Sequence, residues 1–160
     1  LQRVDLVLED GQFWIAPTIK NQAHLDRLIA SSLCVPIGDG FANHPTRHVP
    51  YGLMPKSFGT FPLVLGSYVR DRGVLSIEDA IRKMTSAPAS RVRLADRGRL
   101  APGLAADVVV FDPARVADTA TFANPFQYPV GIPVVIVNGA VALRDGERSA
   151  TGSGRVVRPT

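Results

Sequence analysis

The chain has 160 residues and a formal net charge of +4, with a pI near 9.7, which is long enough for a domain with a real core. Its arginines are scattered and no basic stripe is interleaved with aromatics, so an electrostatic nucleic-acid surface is excluded. No run of about 18 apolar residues is present to span a membrane, and the single Cys34 excludes an internal disulfide and fits a reducing, cytoplasmic compartment.

Val4 to Leu8 reads as a strand that stops at the turn pair Asp10-Gly11, and Phe13 to Ala16 as a second apolar run stopped by Pro17. Asn21 is placed to cap a helix in which Leu25, Leu28 and Ile29 fall at i, i+3 and i+4, one buried stripe. Cys34 to Ile37 reads as a further short strand, with Pro36 marking its end or an irregular edge. Strand, helix, strand is the repeating unit of a barrel or a doubly wound sheet. Ile37-Gly38-Asp39-Gly40 follows, with two glycines about one carboxylate, a pattern that permits unusual backbone angles and close approach of a ligand. On spacing alone Asp-Gly is a turn.

From Phe41 to Phe58 the text is Pro-containing loop without periodicity, a length that suits a lid or a substrate wall. His44 and His48 lie in it without a His-x-His or helical His pair, so they read as solvated loop residues and not as metal ligands. His24 falls on the polar side of its helix. Thr60 and Pro62 suit the cap and first turn of a helix carrying Leu65 and Val69 on one face, stopped by Arg72-Gly73. Ser76 with Asp79 approximates a capping box, and Ile77, Ala80, Ile81 and Met84 are the buried side of the helix it opens.

Thr85 or Ser86 then caps a short helix with Pro88 near its first turn. Pro102-Gly103 fits the centre of a type II turn, and Val108 to Phe111 is most simply a buried strand. After irregular text around Asn124 to Pro129, Val134 to Val137 and Ala140 to Leu143 flank Asn138-Gly139, the pair best suited to a type I′ hairpin. Asp145-Gly146 marks one more turn. No internal repeat is present.

The run from Lys83 to Asp112 combines a helix, Ala-Pro-Ala, Asp-Arg-Gly-Arg-Leu, Pro-Gly and Ala-Asp-Val-Val-Val-Phe-Asp. It resembles the junction of the amidohydrolase superfamily, where a catalytic (β/α)8 barrel hands over to a small β-domain built from both ends of the chain. A full barrel takes about 250 residues, and this sequence opens on Leu1 in strand-like text. The resemblance therefore implies an α/β chain that is the C-terminal part of a metal-dependent (β/α)8 barrel followed by a small β-sandwich-like domain. The expected division is 1–93 for the barrel portion, with an active-site loop at 39–58, and 94–160 for the β-domain. A small independent α/β domain is the alternative.

Gly59-Thr60-Phe61-Pro62 before Val64-Leu65-Gly66, Ala117 to Phe122, Gly131-Ile132, Val137-Asn138-Gly139 and Gly154-Arg155-Val156 narrow the resemblance to the N-acyl-D-amino-acid deacylases (D-aminoacylases). The last of these motifs puts Thr160 close to the expected C-terminus. The resemblance implies hydrolysis of a linear amide C–N bond by a metal-activated water. Asp39 matches the aspartate that ends the last barrel strand and serves the metal centre. It would accept the proton of the water and return it to the leaving amine. Zinc is the implied metal, with a His-x-His pair, a Cys or modified Lys, and further His expected upstream of Leu1.

This chain departs from the family in two places. Gly38-Asp39-Gly40 stands where Ser-Asp-Gly is usual, and Met54-Pro55-Lys56 where His-Pro-Arg is usual. Because Lys lacks the two parallel bonds an Arg gives a carboxylate, Lys56, Arg47 and His48 are the candidate anion-binding residues for substrate. The expected partner is a small acylated amino acid or related amide, with no nucleic acid and no membrane, and a homo-oligomeric state is allowed. A cyclic amidase of the hydantoinase or dihydropyrimidinase type would share Asp39 and the junction. A non-catalytic assembly module would need neither metal nor pocket.

Overall fold

The computed structural model describes residues 4–9, 12–17, 21–40, 54–150 and 152–159. Strands β1 (Val4–Glu9) and β2 (Gln12–Pro17) form an antiparallel hairpin in which Glu9 pairs with Gln12 and Val4 with Pro17. The two apolar runs thus pair with each other, and no strand–helix–strand unit forms among the described residues. Helix α1 (Gln22–Ala30) starts as expected at Asn21, whose side chain accepts the His24 N–H at 3.3 Å. Its apolar stripe is only partly covered: Leu25 and Ile29 are half-buried, but Leu28 is 60% exposed. The expected strand at Cys34 to Ile37 is chain without regular secondary structure and without a ladder. A parallel strand needs neighbours for its N–H and C=O groups, and no described strand lies beside this one.

Helix α2 (Lys56–Leu63) begins before the expected cap, and Thr60 instead donates its hydroxyl to the Lys56 carbonyl at 2.8 Å. Pro62 is therefore inside the helix, where its missing N–H and its ring disturb the preceding turn. Directly afterwards the helix widens into a π-helical stretch, Val64–Asp71. It stops where expected, with Gly73 N–H on the Val69 carbonyl (3.1 Å) and Val74 N–H on that of Tyr68 (2.8 Å).

Helix α3 (Ile77–Met84) is capped by Ser76, whose hydroxyl accepts the Asp79 N–H at 3.1 Å. Ala80 is fully buried and Ile81 lies at the edge, 38% exposed. In the short α4 (Ser86–Arg91) Thr85 is the cap residue by position only, because its hydroxyl donates back to the Ile81 carbonyl at 2.7 Å. The Pro102-Gly103 turn is closed by Leu104 N–H on the Ala101 carbonyl, 3.2 Å.

Strands β3 (Val108–Val110), β4 (Val134–Val137), β5 (Ala140–Arg144) and β6 (Glu147–Arg148) make one antiparallel sheet in that order. Asn138 (φ 48°) and Gly139 (φ 82°) are both left-handed, as a type I′ turn requires. The pairing skips from Val135 with Leu143 to Ile136 with Val141, which leaves Ala142 as the extra residue of a bulge. Val109 and Val110 remain 54% and 46% exposed, so β3 is not the buried strand its composition suggests. A valine run is buried only where a second layer covers it.

The core lies between the helices and the chain that follows the junction. Val64, Leu65, Leu75, Ala80 and Val116 are its buried members, with Ile29, Val69, Met84, Phe111 and Ile132 packed against them. Approach is close at Gly66, where an added Cβ would lie 2.7 Å from the Val116 carbonyl oxygen. Arg70 Nη1 donates to that same oxygen at 2.6 Å. Among the described residues no helix is long and apolar enough to cross a membrane.

Candidate active site

The segment Gly38-Asp39-Gly40 lies directly on the first turns of α2. A Cβ at position 40 would come 2.8 Å from Ser57 Cα, so only glycine fits against that backbone. At position 38 the nearest atom is Phe61 Cε2 at 3.9 Å, ordinary contact, so packing does not enforce the glycine found there. Between them Asp39 has φ 42°, in the left-handed region. Aspartate is among the few residues other than glycine that reach it, at a cost, and such strain gathers at functional positions.

The Asp39 carboxylate oxygen Oδ2 accepts from Lys56 Nζ in an ion pair, with the side chains 73% and 44% exposed respectively. Lys56 is the first residue of α2, and the helix is held there by Phe58. Its ring packs on Phe126 at 5.1 Å and meets Tyr128 edge-on at 5.8 Å. Two of the candidate residues are thus brought together. The other two, Arg47 and His48, lie outside the described residues, as does His44.

Among the described residues no group of three or more His, Cys, Asp or Glu is placed to hold a metal ion. Asp39 is a single carboxylate whose partner is an ammonium. A catalytic zinc commonly takes three protein ligands, so these residues do not by themselves amount to a metal centre.

One residue escaped the sequence reading. Lys83 is completely buried, with Nζ donating to the Ile29 carbonyl and, at 2.7 Å, to the Ser31 carbonyl, and 3.4 Å from Asp79 Oδ2. The signal was its spacing: Ala80 and Lys83 stand at i and i+3 on one helix face. Neighbouring Asp79 is held below the usual carboxylate range, chiefly by the hydrogen bond from Arg82. Asp26 on α1 is likewise held low, first by Gln22 and then by Arg72.

At the junction Arg97 is pushed further up by Asp96 and then Asp107. Arg97 Nη1 reaches Asp107 Oδ2 at 2.6 Å, and Asp107 Oδ1 accepts the Asn138 N–H at 2.8 Å, which ties the junction to the β4–β5 hairpin. A cavity of about 240 Å³ lined by Ser86, Ser90, Arg93, Arg97 and Arg99 opens there, on residues separate from Asp39 and Lys56.

Comparison with known proteins places the chain in a family. The amidohydrolase family model matches residues 46–143, and the chain belongs to that family. It is 41% identical over 140 residues to the D-aminoacylase of Alcaligenes xylosoxydans xylosoxydans, covering 88% of this chain and 28% of that protein. It is similar to the crystal structure of a D-aminoacylase with a TM-score of 0.78 at 38% identity, over 91% of this chain and 29% of the other. A second similar structure is the N-acyl-D-glutamate deacylase of Bordetella bronchiseptica complexed with zinc and a phosphonate mimic of the tetrahedral intermediate. The TM-score there is 0.69 at 36% identity, over 85% and 27% of the two chains. The chain therefore spans 28% of the length of the curated D-aminoacylase it matches.

Proposed function

We propose that this chain is the C-terminal part of a metal-dependent deacylase that hydrolyses the amide bond of N-acyl-D-amino acids. The observation that carries the proposal is Asp39, held in a left-handed conformation between two glycines and beside Lys56. In this reading residues 1–93 complete a barrel and 94–160 form a small β-sandwich-like domain, of which β3 to β6 are one sheet. Asp39 accepts a proton from the attacking water and returns it to the leaving amine. Lys56 binds the substrate carboxylate, with Arg47 and His48 in support. Zinc is the proposed metal, with its remaining ligands on other parts of the complete enzyme. The zinc complex of the Bordetella relative supports that choice. A cytoplasmic setting suits the free thiol of Cys34.

The test is turnover by the complete, metal-loaded protein on N-acetyl-D-amino acids, their L enantiomers and cyclic amides such as hydantoins. Hydrolysis of the linear D substrates is expected. A folded, metal-loaded protein that leaves them intact would overturn the proposal, and turnover of the cyclic amides instead would assign it to that branch.

A further inference from the structure

We infer that Lys83 is a positioning residue for Asp39, acting through the end of α1; this rests on the deacylase reading above. Burying an ammonium is costly unless its donors and its charge are both satisfied. Here the burial is complete, and the partners are specific. Nζ donates to the carbonyls of Ile29 and Ser31, which belong to the last turn of α1 and its C-terminal cap. The carboxylate of Asp79, one turn back on α3, supplies charge at 3.4 Å. A helix C-terminus presents unpaired carbonyls and partial negative charge, so a cation there is favoured twice over.

What makes this more than a cap is where the chain goes next. The Ser31 carbonyl that receives Lys83 also accepts the Cys34 N–H at 3.0 Å, which turns the chain out of α1. From Cys34 the segment runs, without ladder bonds among the described residues, to Gly38-Asp39-Gly40. Asp39 is therefore held at one end by α2, through the packing of Gly40 on Ser57, and at the other by α3, through Lys83. Helix α2 runs directly into the π-helical stretch, whose Val64 and Leu65 share one core with Ala80 of α3, so the two anchors have a common base. Removing the ammonium releases the far anchor while leaving Asp39 chemically intact. A displacement of about 1 Å at a catalytic group costs on the order of 100-fold in rate. Substrate affinity, which does not depend on that alignment, should change little.

The test compares Lys83→Met, Lys83→Gln and the core control Leu75→Ala in the complete protein, measuring kcat, KM and melting temperature, with backbone hydrogen exchange at Cys34 in the same variants. Lys83→Met should lower kcat by about 10- to 100-fold, with KM within about threefold of wild type, and should speed exchange at Cys34. Lys83→Gln, which keeps an N–H donor, should recover part of both. Leu75→Ala should lose stability but keep kcat and Cys34 protection well below its melting temperature. Near-normal kcat in Lys83→Met, or a loss shared by Leu75→Ala, would overturn the inference. If Lys83→Met does not fold, Lys83→Gln decides by the same criteria. An inactive wild-type protein would refute the deacylase reading, and faster exchange at Cys34 in the Lys83 variants would still support the anchor; unchanged exchange would overturn it.

Discussion

Lys56 and Asp39, 17 residues apart in sequence, meet as an ion pair at the start of α2. Both side chains are well solvated, and exposed pairs of this kind are worth about 0–1 kcal/mol. The pair does not hold the fold together. It places a cation beside a strained carboxylate, and it is weak enough to be exchanged when another carboxylate arrives.

Replacing Asp39 by Asn in the complete enzyme should lower kcat by about 10²–10⁴-fold, the usual contribution of a positioned proton-transfer group. Asparagine accepts left-handed angles as readily as aspartate, so the variant should fold and melt near the wild-type temperature. Steady-state kinetics and thermal melting on the same preparation check this. Normal kcat in a folded, metal-loaded variant would end the assignment.

Lys56→Met should act on binding. A hydrogen bond to a charged group contributes about 1.5–3 kcal/mol, so KM for an N-acetyl-D-amino acid should rise by roughly 10- to 100-fold while kcat falls less. The corresponding substrate amide, which lacks the carboxylate, should be little affected. Equal losses on both substrates would remove Lys56 from the carboxylate site.

Two glycines with similar backbone angles should respond differently to alanine. Gly131 (φ 77°) and Gly146 (φ 87°) both pay the left-handed penalty of about 1–2 kcal/mol. Only at Gly131 would the new Cβ also meet backbone, 2.5 Å from the Val116 nitrogen. Overpacking typically adds about 1–3 kcal/mol, so denaturant melts should show Gly131→Ala clearly less stable than Gly146→Ala.

Acid should destabilise the chain through Asp79 and Asp26, both held below the usual range. A depressed carboxylate contributes stability that is fully present above its unfolded value, about 3.9. That stability is lost as pH falls through the lower folded value. The melting temperature should therefore drop below about pH 4, and Asp79→Asn should flatten that drop while lowering stability at neutral pH. An unchanged acid limb in the variant would show that the Arg82 contact contributes nothing to folding.

Local chemistry was legible where a short stretch decides its own conformation. Asn21 and Ser76 cap helices, Asn138-Gly139 turns the hairpin, and the type II turn at Pro102-Gly103 closes as expected. Thr60 and Thr85, read as caps, bond carbonyls four residues back instead, and the other misreadings depended on distant partners. Cys34 to Ile37 has strand composition, but a strand is made by its neighbours. Val109, Val110 and Leu28 are apolar, but burial depends on what covers them. Pro62 marked a first turn only as long as Lys56 was read as loop. At the site, Asp39 stood out through its flanking glycines, whereas Lys83 looked like one more basic residue in a last helical turn. Its burial follows from where α1 ends, and nothing local to α3 states that.

The π-helical stretch Val64–Asp71 makes the length of this part of the chain a fixed gauge. Gly66 must face the Val116 carbonyl, and Arg70 must reach it from the same side. Deleting one residue between them would cut their separation from four residues to three, a change of about 100° around an ordinary helix. One contact could be kept only by giving up the other. Loops absorb insertions and deletions by changing shape, and this segment has no such slack. Change here is confined to substitution, with a residue count set by the two contacts it must make at once.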